Sequence, residues 1–349
     1  MSLHNDEVAA IIANKEEPTF ENTILELDHS GLLLVKHLFI VNPAAGGKDS
    51  TDFVSARVAQ FFSGKEGDFE IYSTKAPMDA VRKIRYEAEL CDELRVYACG
   101  GDGTLNECVC GAAGYDNVAV THFPTGTGND FIKTFGRDKE LFFDLQALVE
   151  GSVRPIDIID CNGRYSINLC SVGIDARIAN DVHKYKKIPV IGGATGYVTS
   201  TAVNLVKGIK EELRVFCGGK MYYGDMTRIC ACNGRFYGGG FNPVPEARLD
   251  DGLIDFLIVK GVSRLTFLKL VGLYAKGRYA QFPKYITHVR GTSMDIESES
   301  EIIVNVDGEI IKGKKISMRL IPGGVNFIFP KGAAAYDDEI SGAEKIAAI

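Results

Sequence analysis

At 349 residues, with 46% apolar and 24% charged side chains, the chain is long enough for about two domains, each with its own core. A net charge of −7 gives no footing for nucleic-acid binding, which draws on basic surface. Nine cysteines at irregular positions, with Cys108/Cys110 and Cys230/Cys232 as C-x-C pairs and no C-x-x-C, argue against structural zinc or a disulfide framework and for a reducing compartment. No basic leader with an apolar run opens the chain, and no window of about 18 apolar residues occurs, so a cytoplasmic location is expected.

Residues 1–35 are polar and read as a helical appendage. Within them, residues 14–34 faintly resemble the N-terminal helices of zinc-dependent oligopeptidases; the stretch holds no metal-ligand set and implies no peptidase activity. A first strand, His37 to Val41, runs into Asn42-Pro43-Ala44-Ala45-Gly46-Gly47-Lys48 and then a helix from Thr51 to Phe62. Phe69 to Thr74 is the second strand, and Pro77 opens a helix through Leu90. Leu94 to Ala98 is the third, followed by Cys99-Gly100-Gly101-Asp102-Gly103-Thr104-Leu105-Asn106-Glu107 and a helix from Leu105 with Thr104 as N-cap. Val118 to Phe123 feeds Pro124-Thr125-Gly126-Thr127-Gly128-Asn129-Asp130, with a helix beginning at Phe131.

This alternation predicts a doubly wound parallel-sheet nucleotide domain over 36–157. Ligands of such sheets sit beyond the carboxyl ends of the strands, where all three glycine-bearing loops fall. Glycine lets backbone approach an anion, and a helix N-terminus faces it with N–H groups. Neither G-x-G-x-x-G nor the Walker A spacing is met: Asn106 stands at the third glycine, and Asn42 and Asp49 stand where Walker A needs Gly and Ser or Thr. Asp102 inside the loop suits Mg²⁺ or a hydroxyl rather than phosphate. Ordinary turns are the alternative for each loop, and a solvated lysine for Lys48.

After Arg154-Pro155 the pattern changes to short alternating runs: 156–159, 165–169, 213–216, 226–232, 253–259, 293–296, 302–306 and 315–321. These predict an antiparallel β-sandwich domain over 158–330, interrupted by helices at 197–208 and at 264–279 behind an N-cap Ser263. A polar tail follows at 331–349. Two acidic constellations stand out. Arg248-Leu249-Asp250-Asp251-Gly252-Leu253 offers oxygen ligands for a hard cation or is a D-G turn. Asp307-Gly308-Glu309 is a carboxylate pair on a rigid turn or an ordinary hairpin.

In this order, NPAAGGK, GGDGTLNE, PTGTGNDF, PEARLDDGLID and VDGE resemble the diacylglycerol kinase catalytic-domain family, which includes sphingosine kinases and bacterial soluble lipid kinases. The resemblance covers about 36–330. It implies ATP- and Mg²⁺-dependent phosphorylation of a lipid hydroxyl, with 158–330 as the lipid-substrate domain. By likeness, Asn42, Gly46, Gly47, Lys48, Thr74, Gly100, Gly101, Asp102, Gly103, Thr104, Leu105 and Thr127 bind the nucleotide. Met78 stands where the family often has glycine. Asp102, Asp130, Asp307 and Glu309 are the expected catalytic carboxylates, with Glu309 favoured as general base. Arg248, Asp251 and Leu253 match a structural Mg²⁺ site.

Between Asp255 and Asp295 the chain has no acid but has seven basic residues among aromatics. That is the expected docking face for the inner surface of an anionic membrane, or alternatively a solvated helix. Pairing with a second copy is left open. The rival readings are a soluble-substrate kinase of the NAD-kinase type, and a silent binding protein with the same fold.

Overall fold

The computed structural model describes residues 35–47, 49–64, 67–186 and 203–334. The predicted N-terminal appendage, the first half of the helix expected at 197–208, Lys48 and most of the tail lie outside the described residues. Strand β1 (Val35–Val41) buries Leu38, Phe39, Ile40 and Val41 completely, as a parallel strand covered on both faces must. β2 (Asp68–Ser73) and β3 (Glu93–Gly100) flank it in parallel, and β4 (Val118–Pro124) pairs in parallel with β3. Parallel neighbours require crossovers, supplied by helices α1 (Thr51–Phe62), α2 (Asp79–Ala88) and α3 (Asp102–Ala112). α1 turns Val54, Val58 and Phe62 inward, a spacing of four that keeps one apolar stripe on one face. After β4 come 3₁₀ turns over Phe131–Phe143, bent at Gly136, and the short helix α4 (Leu145–Val149).

The second half is antiparallel and rich in strands. It contains β5 (Ser152–Cys161), β6 (Arg164–Ser166), β7 (Leu169–Gly173), helix α5 (Ile174–Lys186), β8 (Glu211–Cys217), β9 (Lys220–Cys232), β10 (Ile254–Lys260), helix α6 (Arg264–Tyr274), β11 (Ile286–Gly291), β12 (Ser293–Val306) and β13 (Glu309–Phe329). Ser263 caps α6 by accepting from Thr266 N–H. β12 runs unbroken where two strands were expected. Its ladder with β13 shifts register between Glu297 and Ile302, so the polar Ser-Glu segment is carried as an irregularity.

The expected border at 157/158 does not separate two sheets. All thirteen strands are hydrogen-bonded into one sheet network, with β13 in the middle. Early in β13, Ile316, Met318 and Leu320 belong to the core of the second half. Late in β13, Val325, Phe327 and Phe329 belong to the core of the first, where the strand lies parallel to β4 at Asn326 and Phe327. The change of partner is made at Gly323, whose φ is +58°, inside a register shift against β5 between Ile321 and Val325. Asp157 fixes the crossing: its carboxylate accepts from Gly323 N–H and Gly252 N–H, each at 2.8 Å.

Candidate active site

The stretch after β3 forms the first turn of a helix and not a free loop. α3 begins at Asp102, earlier than expected, with extended Gly101 as N-cap. Thr104 is therefore not the cap: its N–H and that of Leu105 both donate to the Gly101 carbonyl, at 3.0 and 3.1 Å. The third glycine loop closes on the first turn backbone to backbone. Thr125 and Gly126 N–H donate to the Gly100 carbonyl, and Asp102 N–H donates to the Gly128 carbonyl at 2.9 Å. A Cβ at Gly101 would lie 2.7 Å from the Gly128 oxygen, and one at Gly126 would lie 2.6 Å from Gly101 N. Those glycines serve loop-to-loop contact. Gly103 differs: a Cβ there meets nothing within 4 Å, so this position faces open cleft at a helix N-terminus, where an anion is favoured.

Asp102 holds the third loop. Its carboxylate accepts from Asp130 N–H at 2.8 Å and Phe131 N–H at 3.1 Å. One N–H per oxygen leaves a second lone pair on each, and Asp102 still lines the cleft. Asp130 is likewise engaged, by Lys133 Nζ at 2.5 Å and Gly239 N–H at 2.6 Å, and so ties the third loop to the turn at 238–240. Asn42 joins the first loop to α3 by donating from Nδ2 to Thr104 Oγ1 at 3.3 Å.

These pieces enclose a cleft of about 620 Å³ lined by Asn42, Gly46, Gly101, Asp102, Gly103, Thr104, Leu105, Thr127, Asp130, Asp307 and Glu309 among others. Most of the predicted site residues thus meet in one place. Gly100 is buried behind it, and exposed Gly47 continues the first loop with φ +69°. Thr74 does not line the cleft; it is bonded to the Val41 carbonyl through its N–H at 2.9 Å and Oγ1 at 3.4 Å.

The two hairpin carboxylates separate by role. Asp307 and Gly308 both have positive φ, 47° and 101°, the geometry a tight D-G hairpin demands. Asp307 Oδ1 accepts from Ser166 Oγ at 2.9 Å and Leu169 N–H at 2.8 Å. Its Oδ2 accepts from Ile167 N–H, Asn168 N–H and Asn106 Nδ2, at 2.8, 3.2 and 3.0 Å. Burial pushes this carboxyl up and the donors pull it back. With five donors bound it has no lone pair for a substrate proton, which corrects its expected catalytic role to a positioning one. Glu309 is exposed to the cleft, and no described side chain hydrogen-bonds it. Nearby Glu107 has its carboxyl pushed up by burial and then by the charge of Glu309.

The expected cation ligands Arg248, Asp251 and Leu253 are not among the residues that line the cleft. Asp251 is ion-paired with Arg290, and its Oδ1 accepts from Leu253 N–H at 3.1 Å. With both oxygens engaged by an arginine and an amide, the donor set as arranged does not fit a divalent ion. Among the described residues no trio of His, Cys, Asp or Glu is grouped to hold a metal.

Several site residues were not singled out from sequence: Asn106, Ser166, Asp175, Arg228 and Tyr237. Asn106 was legible only as the failed third glycine. Asp175 opens α5 at the cleft wall and is ion-paired at 2.9 Å with Arg228, which is buried against the Tyr237 and Tyr274 rings. Asp175 and Tyr237 also line a neighbouring cavity of about 170 Å³, whose walls are mostly apolar and include Ile178, Phe241, Phe267 and Leu268 beside Thr227 and Arg228. Among the described residues no helix is long and apolar enough to cross a membrane.

A glycine-loop cleft at the end of a parallel sheet, with a carboxylate on an opposing hairpin, is the plan of a phosphotransferase. Comparison with known proteins agrees. Residues 36–161 match the model of the diacylglycerol kinase catalytic domain, and 168–329 match that of the YegS C-terminal NAD kinase beta sandwich-like domain. A Pseudomonas aeruginosa (PAO1) protein named "Probable lipid kinase YegS-like" is 30% identical over 314 residues, covering 88% of this chain and 97% of that protein. The Bacillus subtilis (strain 168) diacylglycerol kinase is 27% identical over 272 residues, 77% of this chain and 88% of that one. The crystal structure of a diacylglycerol kinase from Bacillus anthracis str. Sterne shares the fold, with TM-score 0.62 at 23% identity over 86% of this chain and 98% of that chain. The chain belongs to the diacylglycerol kinase and YegS family of lipid kinases.

Proposed function

We propose that this protein transfers the γ-phosphoryl group of ATP to a hydroxyl of a lipid such as diacylglycerol. One observation carries this reading beyond the family: the glycine-loop cleft and the apolar cavity share Asp175 and Tyr237 as a common wall. A nucleotide in the cleft and an acyl chain in the cavity would bring phosphate and hydroxyl together at that wall.

The open position at Gly103 and the first turn of α3 receive the phosphates. Asn42, Thr104 and Thr127 border them, while Asp102 and Asp130 hold the loops in register. Glu309 takes the proton from the acceptor hydroxyl as its oxygen bonds to phosphorus and the bond to ADP breaks. Asp307 keeps the hairpin, and so Glu309, aimed at the cleft. Mg²⁺ bound with ATP would supply charge neutralisation on the phosphates, and Asp102, which lines the cleft beside Gly103, would hold it.

The bilayer is approached through α6. Leu265 and Leu268 are 74% and 56% exposed beside Lys269, within the acid-free stretch 256–294. Apolar side chains flanked by lysine suit an anionic interface. A soluble nucleotide acceptor, the alternative suggested by the NAD kinase-like name of the second family model, would make no use of the apolar cavity. The test is labelled ATP with total lipid extract in mixed micelles, beside NAD in buffer. Label in a lipid product is expected; label in NAD alone overturns the reading.

A further inference from the structure

The long connection from β9 to β10 carries the residues that the family resemblance marks for a structural cation, and a side chain of this chain already stands there. Arg290, on β11, ion-pairs with Asp251 and reaches Asp255 Oδ1 through Nε at 3.3 Å. Asp255 is 1% exposed and also receives His288 Nε2 at 2.6 Å. His288 Nδ1 lies 3.1 Å from Tyr279 Oη, and Tyr279 hydrogen-bonds Glu246. The later part of the connection is thus fastened at two points, at Glu246 through Tyr279 and at Asp251 through Arg290.

We propose that the guanidinium of Arg290 is the resident cation of this segment and performs the structural work of a divalent ion. Two carboxylates, one fully buried, need a positive charge between them. A planar fork satisfies both at once and cannot lose its proton. A divalent ion at Asp251 would have to evict Arg290 and then tolerate it as a like-charged neighbour. The second half of the molecule is then metal-independent, and any Mg²⁺ requirement belongs to the nucleotide.

The test is thermal unfolding of the full chain without nucleotide, in EDTA and across a MgCl₂ series. The wild-type Tm is expected to stay constant across the series. Arg290→Met, which keeps the apolar stem and removes the charge, is expected to unfold about 5 °C lower in EDTA. If that variant does not fold, Arg290→Lys takes its place, with a smaller loss expected from the missing fork. The proposal is overturned by a saturable rise of the wild-type Tm with Mg²⁺ that vanishes in Asp251→Asn. It is equally overturned if the Arg290 variant that folds matches wild type in EDTA. Neither readout involves ATP or lipid, so both are independent of the kinase reading.

Discussion

Asp307 and Glu309 are separated by one glycine and differ in what their oxygens touch. Glu309→Gln should lower kcat by roughly 10²–10⁴, the range for a lost general base, with ATP affinity and Tm unchanged. Asp307→Asn should also lose activity, but together with several degrees of Tm, because a neutral amide turns donors toward the N–H groups it used to accept from. Measuring kcat, ATP Kd and Tm for both separates base from positioner; a Glu309→Gln enzyme of normal kcat would remove it from the chemistry. The glycines divide in the same way. Gly103→Val should fold normally and lose ATP binding, since only open cleft surrounds that position. Gly101→Val should perturb folding itself, because its side chain would press on the Gly128 carbonyl. A folded Gly103→Val protein with wild-type ATP affinity would show that phosphate does not sit there.

At the scale of elements, α2 starts under strain. Its N-cap Met78 has φ +64°, a left-handed conformation that costs a residue with a Cβ about 1–2 kcal/mol. This would account for the glycine that the family resemblance implies at that position. Met78→Gly should raise stability by up to about 1 kcal/mol after glycine's own entropy is deducted, read from denaturant midpoints. α6 carries the lipid-facing expectation: Leu268→Glu should cut transfer to vesicle lipid at least tenfold and leave ATP affinity intact. Unchanged transfer would dissociate the cavity from the acceptor. How far these elements could be read in advance depended on their patterning. α1 was legible to the residue because Val54, Val58 and Phe62 keep one stripe. β1 and β4 were legible as apolar runs, β3 as one interrupted by Arg95, and β2 by the alternation of Phe69, Ile71 and Ser73 with Glu70 and Tyr72. α5 and β11 were not: Ile174, Ile178 and Val182 keep a spacing of four in α5 but stand among Asp, Arg, Asn, His and Lys, and β11 is a short edge strand with exposed Arg290. The site residues within glycine motifs were visible, whereas Asp175 and Arg228 lie in no motif and are joined only by tertiary packing. Asp307 was found for its type and position, but its five donors arrive from residues 106 and 166–169, which no local pattern connects to it.

For the whole molecule, acid sensitivity should have an identifiable source. His37 on β1 is held against Tyr97, with Nδ1 2.7 Å from its hydroxyl, and burial, then Arg95, lowers its pKa to about 4. In the unfolded chain it titrates near 6.5, so between those values the unfolded state holds the extra proton. Its contribution, about 2–3 kcal/mol, is present above pH 6.5 and is lost as pH falls toward 4. His37→Gln should flatten that part of a stability–pH profile; an unchanged slope would place the sensitivity elsewhere. A separate consequence belongs to β13, whose 21 residues carry Glu309 at one end and core phenylalanines of the other half at its far end. Two family models cover the chain in tandem, which invites the picture of two modules melting one after the other. Neither half can lose its core without stripping the same strand from its partner. Calorimetry of residues 34–349 should therefore give a single endotherm whose van't Hoff and calorimetric enthalpies agree. A polypeptide cut within β13 should leave neither fragment able to fold alone.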